Sequence, residues 1–425
     1  MFVGQQQQQV VGLLDLGTSK ISCLIVQRPK YASNQGWRVI GHSHIQSSGI
    51  RAGMLVDLDQ AELAVRQAIG TAEDQAELTL DDILVGVSNG RLQSLHFSAT
   101  VELAEHHVQR HDLRRLTQSA QQYVEKQQRS LLYLNHVHYT LDHVSTARQP
   151  LGLQGRRLDC QFHAVTTDEM TLLALEELLA RCNLSPRNFI PSGLASALSV
   201  TTPDEQQQGV ACVDIGAGVV NIAVLNEGTF LHIDTLAFGG ANLTHDVSAR
   251  LHASLADAER IKTLYGTMVR ATSDQGVSIE YRQPGTSSVG YAGLMADEVH
   301  TTSRADISSI LYPRVLRQLQ LIGERLKQSQ VTDALARSIV LTGGGSQLVG
   351  LSAMAEQVFG KPVRIGQPQL IEGLEREYTN PTASTVLGLG LAEAFAPNAV
   401  NPRIRNRIAY ESYLKRMEQW LRESF

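Results

Sequence analysis

"VVGLLDLGTSKISCLIVQ" occupies residues 10–27, and "GVACVDIGAGVVNIAVLN" occupies residues 209–226. Each passes through apolar residues into Asp-x-Gly, turns on small residues, and leaves through a second apolar run. Asp15 matches Asp214, and Gly17 matches Gly216. Apolar runs bounded by turn residues read as buried strands, so each stretch predicts a hairpin with Asp-x-Gly at its tip. Glycine lets backbone N–H groups approach an anion closely, and a carboxylate beside them can hold Mg²⁺, usually through water. One such loop is also an ordinary hairpin turn. Two, in matched strand contexts, predict two related lobes that face each other and grip a polyphosphate from both sides. Lys20, just past the first tip, is placed to reach a terminal phosphate as a point charge.

The rest of the composition fits a soluble multidomain chain. At 425 residues it exceeds one ordinary core, and domains of ~100–200 residues predict two to four units. Hydrophobic residues make up 43% and charged residues 19%, with a formal net charge of −5 that gives no reason to expect nucleic acid. Cys23, Cys160, Cys182 and Cys212 are scattered, with no CxxC pair, which suits a reducing compartment and argues against a zinc knuckle. "MFVGQQQQQ" (1–9) has no basic region leading into an apolar core, as a signal peptide would. No stretch approaches the ~18 apolar residues of a membrane span.

Along the chain, "RQAIGTAEDQAEL" and "HDLRRLTQSAQQYVEKQQ" predict helices, while "ILVGVS" and "LNHVHYTLDHV" predict strands. Residues 85–162 are more polar and His-rich and read as an inserted subdomain. "TTPDEQQQG" (201–209) reads as a polar link and 270–305 as irregular, rich in Gly, Ser and Thr. "ISSILYPRVLRQLQLIGERLKQS" predicts a long helix with Pro313 near its start. "RSIVLTGGGSQLVGLSAMAEQVFGKPV" predicts strand, Gly loop and helix, with Ser346 as N-cap and Gly360 and Pro362 as the stop.

Three further pieces suit a nucleotide. In "LTGGGSQL", Gly343, Gly344 and Gly345 would let a flat base lie against backbone, with Gln347 beside it and a helix N-terminus favouring a nearby anion. In "DAERIK", Glu259 and Lys262 share a helix face at i, i+3; Glu259 suits ribose hydroxyls and Lys262 the flank of a base, although such a pair is also an ordinary solvated one. In "FGGANLT", Gly239 and Gly240 precede a helix. A GxxxxGK[ST] loop is missing, and "GAGVVN" has Asn221 where a dinucleotide fingerprint needs its last glycine.

Together and in this order, these pieces resemble the actin-like ATPases, and within them the bacterial cell-division FtsA family. "DLGTSKI", "SGLASALSV", "GVACVDIGAGVVNIAV", "DAERIKTLYG", "IVLTGGGSQLVGL" and "YLKRMEQWLRESF" all look like segments of that family, from about residue 10 to 425. The resemblance implies an α/β, actin-like (ribonuclease H-like, duplicated) two-lobe ATPase fold with two inserted subdomains. A lead over 1–9 would be disordered. The first lobe would take 10–84 and 163–206, and the second 207–243 and 313–396. An interaction or polymerisation subdomain would take 85–162. A subdomain at 244–312 would be the candidate FtsZ-binding part, followed by a linker over 397–408 and a membrane-targeting helix over 409–425.

The implied cofactors are ATP and Mg²⁺. Asp15, Gly17, Thr18, Ser19, Lys20, Asp214, Gly216, Ala217 and Gly218 would hold phosphates, with Asp15 and Asp214 holding Mg²⁺ through water. Gly239, Gly240, Glu259, Lys262, Gly343, Gly344, Gly345 and Gln347 would complete the nucleotide site. Two departures stand out. Ala217 and Val219 replace a Gly and a Thr of the family's usual DIGGGT. Phe189, Ile190, Pro191 and Ser192 stand where fast-hydrolysing relatives carry a Glu or Gln that orients water, so the expectation is binding with at most slow hydrolysis. The implied partners are the FtsZ C-terminal tail, further copies of the chain, later divisome proteins and an anionic membrane surface, at the cytoplasmic face of the inner membrane at the division site. In "ILYPRVL", Arg314 matches the arginine that meets the FtsZ tail, and is equally readable as a helix-surface residue.

The terminal segment carries its own signal. Tyr410, Tyr413, Leu414, Met417, Trp420, Leu421 and Phe425 fall at helical spacing on one face, with charged residues opposite, as in a helix lying in a membrane interface. Six basic residues against three acidic ones over 403–425 add ~1 kcal/mol per net charge near anionic lipid, so one tail binds weakly and many on one polymer bind firmly. A sugar-kinase-like phosphotransferase and a PilM-like pilus adaptor are the rival readings, and neither needs this tail. His107 and His111, at i, i+4, form a weak candidate metal pair without a third ligand.

Overall fold

The computed structural model describes residues 9–28, 37–145, 149–269, 271–289, 295–328 and 336–395. The two quoted stretches form hairpins in two sheets of one plan. In the first sheet the strands run in the order Ser185–Pro191, Asp82–Val87, Gln9–Leu16, Lys20–Arg28, Arg38–Gln46. In the second the order is Val363–Ile365, Ser338–Thr342, Val210–Ile215, Val220–Asn226, Thr229–Leu236. Each sheet pairs three strands antiparallel as a meander and adds two parallel strands beyond the first. Asp15 lies opposite Ser22 and Gly86, and Asp214 opposite Asn221 and Thr342. The repeat seen in the sequence is therefore a repeat of the whole sheet.

Two helices lie between the sheets. Ser192–Val200 follows the last strand of the first sheet and packs on the second sheet, and Ser384–Phe395 returns to pack on the first. Their crossing is close, because a Cβ at Gly388 would lie 1.9 Å from the Ala195 carbonyl oxygen. One apolar core accordingly runs from Leu13, Leu14 and Ile25 through Leu194, Ala195 and Leu387 to Cys212, Ala223 and Phe230. A second core lies on the far face of the second sheet, under the helices Gly240–Leu251, Arg304–Gln328 and Leu351–Phe359.

The insertion has a core of its own. Its sheet orders Gln93–Glu102, Arg157–Asp168, Arg129–Leu141 and Val144–Ser145, with helix Arg110–Lys126 packed on it through Leu116, Ala120 and Val124. The limits drawn from sequence at 84/85, 162/163 and 312/313 fall inside the continuous elements Asp82–Val87, Arg157–Asp168 and Arg304–Gln328. Ser384–Phe395, assigned from sequence to the second lobe, packs against strands of the first.

Other local expectations change as well. Within the stretch read as irregular, Ser278–Val289 and Met295–Ser303 are strands paired antiparallel; Ile279 and Tyr281 bury one face while Ser and Thr occupy strand positions. The expected link holds a short helix, Pro203–Gln208, with a Thr202/Glu205 capping box, and Glu205 is paired with Arg364 at 2.6 Å. Ser346 is not an N-cap: it lies in the 3₁₀ turn Gly344–Gln347, its hydroxyl bonded to the Gly343 carbonyl, and the helix Leu351–Phe359 starts after Gly350. Gly360 does close that helix, in the left-handed region. Pro313 lies within the helix rather than near its start. No described helix is long and apolar enough to cross a membrane. The lead, the linker and the segment with Tyr410, Tyr413, Leu414, Met417, Trp420, Leu421 and Phe425 lie outside the described residues.

Candidate functional site

The two hairpin tips meet across a cleft of about 590 Å³ between the lobes. Asp15, Gly17, Thr18, Ser19 and Lys20 line it from the first sheet. Asp214, Gly216, Ala217, Gly218 and Val219 line it from the second, Glu259 and Lys262 from a helix, and Gly343, Gly344, Gly345 and Gln347 from the third loop. Gly240 also lines it. Gly239 does not: a Cβ there would lie 2.4 Å from the Gly216 carbonyl oxygen, so it supports the second loop from beneath. Gly343 adopts φ +79°, and a Cβ there would lie 2.2 Å from Asp214 Oδ1; both the backbone and the space require glycine.

The electrostatics are those of a buried acid–base cluster. Burial raises the Asp15 pKa to about 6, with Lys20 opposing and Asp214 reinforcing the shift. Burial lowers Lys20 to about 8 against the pull of both carboxylates. Asp214 is raised by burial despite donors from Ser196 Oγ at 2.6 Å and Thr385 Oγ1 at 3.1 Å. The Lys20 ammonium donates to the Thr382 carbonyl at 2.6 Å, which ties the first loop to the turn before the last described helix. At the other end, Lys262 Nζ donates to Glu259 Oε2 at 2.6 Å, Thr244 Oγ1 at 2.9 Å and the Gly240 carbonyl at 3.2 Å.

Among the described residues the hydroxyls of Thr18, Ser47 and Ser192 are buried without a hydrogen-bond partner, and all three residues line the cleft. Buried polar groups are normally satisfied, so three orphans on one cavity fit a polar, oxygen-rich molecule. Two carboxylates with no third ligand suit a hydrated divalent ion rather than a direct metal cage, and no described cluster of three or more His, Cys, Asp or Glu residues could hold a metal. His107 faces Glu105 and Gln109 while His111 faces Asp112, so the weak metal pair does not assemble.

Sequence reading did not single out Ser47, Thr382, Thr385 or Ser88, or give Asn221 a place in the cleft; all of them line it. Arg314 lies elsewhere, with Nε and Nη2 donating to Asp246 Oδ2 and Oδ1 at 2.6 and 2.8 Å.

The family model described as "Cell division protein FtsA" matches residues 211–388, and the model "SHS2 domain inserted in FTSA" matches residues 89–166, the insertion. The chain is 32% identical over 430 residues to the cell division protein FtsA of Rhizobium meliloti (strain 1021), covering 99% of this chain and 96% of that one. It is 29% identical over 436 residues to the cell division protein FtsA of Escherichia coli (strain K12), covering all of both chains. Among solved structures, a chain of the PilM-PilN type IV pilus biogenesis complex superposes with a TM-score of 0.61 at 15% identity, covering 92% of this chain and 99% of that one. MreB5 of Spiroplasma citri bound to ADP superposes at 0.53 with 12% identity, covering 92% and 97%. At such identities the likeness establishes the fold, which is the actin-like two-lobe α/β architecture that the family resemblance implied.

Proposed function

Because this chain belongs to the FtsA family of cell division proteins, we propose that it is an ATP-binding, actin-like protein of the division site. It polymerises, ties FtsZ filaments to the cytoplasmic face of the inner membrane through its C-terminal amphipathic segment, and recruits later divisome proteins. One observation carries the nucleotide reading: both Asp-x-Gly tips, Lys20 and three unpartnered hydroxyls converge on one interlobe cleft.

The backbone of Gly17–Lys20 and Gly216–Gly218 would take the phosphates, with Thr18 and Lys20 adding a hydroxyl and a charge. Asp15 and Asp214 would take a hydrated Mg²⁺, which when bound offsets part of the triphosphate's charge. Glu259, Lys262 and the backbone of Gly343–Gly345 would hold the nucleoside, with Gln347 at its side. Hydrolysis is slow in this reading. Ser192 opens the helix Ser192–Val200 at the cleft, and a hydroxyl is too weak a base to take a proton from water.

Calorimetric titration of the full chain with Mg-ATP tests the cleft. Saturable binding that Lys20→Ala weakens supports it, and no binding up to millimolar nucleotide overturns it. Flotation on anionic vesicles tests the tether: the full chain should float, more so with Mg-ATP, and a chain truncated after Arg407 should not. If neither floats, the membrane reading falls.

A further inference from the structure

The strand Thr229–Leu236 is the edge of the second sheet, and edge strands present backbone N–H and C=O groups that must be covered or left open to pairing. Here the cover comes from the insertion. Ser94 Oγ lies 2.9 Å from the Ile233 N–H nitrogen and 2.7 Å from its carbonyl oxygen. His96 Nε2 lies 2.7 Å from the Leu231 carbonyl. Asn135 Nδ2 and His163 Nδ1 reach the Phe230 carbonyl at 3.0 and 3.1 Å. His163 Nε2 is 2.8 Å from Ser94 Oγ, and its ring stacks on His96 with centroids 4.9 Å apart. A carbonyl needs a donor, so His163 carries a proton on Nδ1 toward Phe230, and the single Ser94 proton is shared between the Ile233 carbonyl and His163 Nε2.

This cover is continuous with the cleft. A Cβ at Gly90 would lie 3.3 Å from Ala237, so positions 90, 94 and 96 face 237, 233 and 231 as an antiparallel seam made by side chains instead of a ladder. At its inner end Ser88 Oγ donates to Asn221 Oδ1 at 2.9 Å, and both residues line the cleft. Thr235, on the edge strand, donates to the same oxygen at 2.9 Å. Asn221 in turn hydrogen-bonds the Asp214 carboxylate, its register partner on the neighbouring strand.

We propose that this seam couples the cleft to the insertion: a ligand that immobilises Asp214 and the second loop fixes Asn221 and Ser88, and thereby tightens the insertion on the second lobe. The proposal rests on the nucleotide reading above. Its two states differ in the bonds to Phe230, Leu231 and Ile233, made when the seam is closed and exposed to water when it opens. Coupling of this kind requires an element that both sites bias, and the strand Thr229–Leu236 is that element.

Hydrogen exchange on the full chain, with and without Mg-ATP, separates the two claims. Peptides spanning 209–221 report nucleotide binding, and peptides spanning 93–102 and 229–236 report the seam. Mg-ATP should slow both, the seam by roughly tenfold. Ser94→Ala and His96→Gln, made separately, should each abolish the slowing at the seam and keep it at 209–221, with protection of 9–16 confirming the fold. Slowing at 209–221 without any at the seam overturns the coupling. If nothing slows at 209–221, the nucleotide reading falls and the ligand-free comparison decides the seam: faster exchange at 229–236 in Ser94→Ala upholds it, and unchanged exchange overturns it.

Discussion

Thr18 and Gly218, the tips of the two matched loops, touch across the cleft: a Cβ at Gly218 would lie 2.4 Å from Thr18 Oγ1 and 2.9 Å from its Cβ and Cγ2. The lobes close on each other through a missing side chain. Gly218→Ala should wedge the tips apart at an overpacking cost of about 1–3 kcal/mol, or roughly five- to a hundredfold in Mg-ATP affinity. Thr18→Gly in the same chain should recover the part owed to the clash. Calorimetry on the single and double variants checks this, and equal affinity in Gly218→Ala and the parent contradicts it.

Asp15 sets a pH-dependent stability. Its pKa is raised from 3.8 to about 6, first by burial, so the folded chain holds that proton more tightly than the unfolded one. Stability of the ligand-free protein therefore falls as pH rises from about 4 through about 6. Above that range the charged carboxylate costs roughly 3 kcal/mol. Asp15→Asn should melt higher than the parent near pH 7.5, lose this advantage near pH 4, and bind Mg-ATP poorly. Thermal scans at both pH values decide it; a variant that melts lower at pH 7.5 refutes the assignment.

Glu259 should matter for the nucleoside and little for the fold. Burial raises its pKa, but hydrogen bonds from Lys262 and Thr244 outweigh that and leave the carboxyl below its ordinary value. Its side chain is 54% exposed, so Glu259→Ala should change stability by under about 1 kcal/mol. Lys262 keeps Thr244 and Gly240. ATP affinity should drop about tenfold or more, with inorganic tripolyphosphate affinity unchanged. Equal losses for both ligands would move Glu259 to the phosphate end.

Gly388 tests the crossing of the two interlobe helices. A Cβ there would meet the Ala195 carbonyl carbon at 2.4 Å as well as its oxygen. Both neighbours are backbone and cannot swing away, so Gly388→Ala should cost at least the 1–3 kcal/mol typical of overpacking and lower the melting temperature. A melting temperature equal to the parent's would mean that the helices slide freely.

Much of this was legible because it is local. Asp-x-Gly between apolar runs, three glycines between strand and helix, and Glu259 with Lys262 on one face are each set by neighbours in the chain, and all of them line the cleft. What could not be read depends on topology. Lys20 meets Thr382, and Thr385 meets Asp214, because the last described helix returns between the sheets, while Ser196 reaches Asp214 from the other interlobe helix, Ser192–Val200. Ser94, His96 and His163 carry no signal in the sequence because their partners are backbone atoms of a distant strand, which no side-chain pattern announces. The strand pair Ser278–Val289 and Met295–Ser303 was not legible because Ser and Thr suit loops and strand faces alike.

The fork of Arg314 is already filled by Asp246. If a carboxylate of the FtsZ tail, the partner that the family resemblance implies, were to meet Arg314, recognition would be a swap of one carboxylate for another, with no net gain in charge pairs. A swap of that kind is shallow and quickly reversed, and it leaves firmness to numbers: many arginines along a polymer facing many tails along a filament. The contact would then report how crowded the two assemblies are against each other, and a lone molecule would scarcely register it.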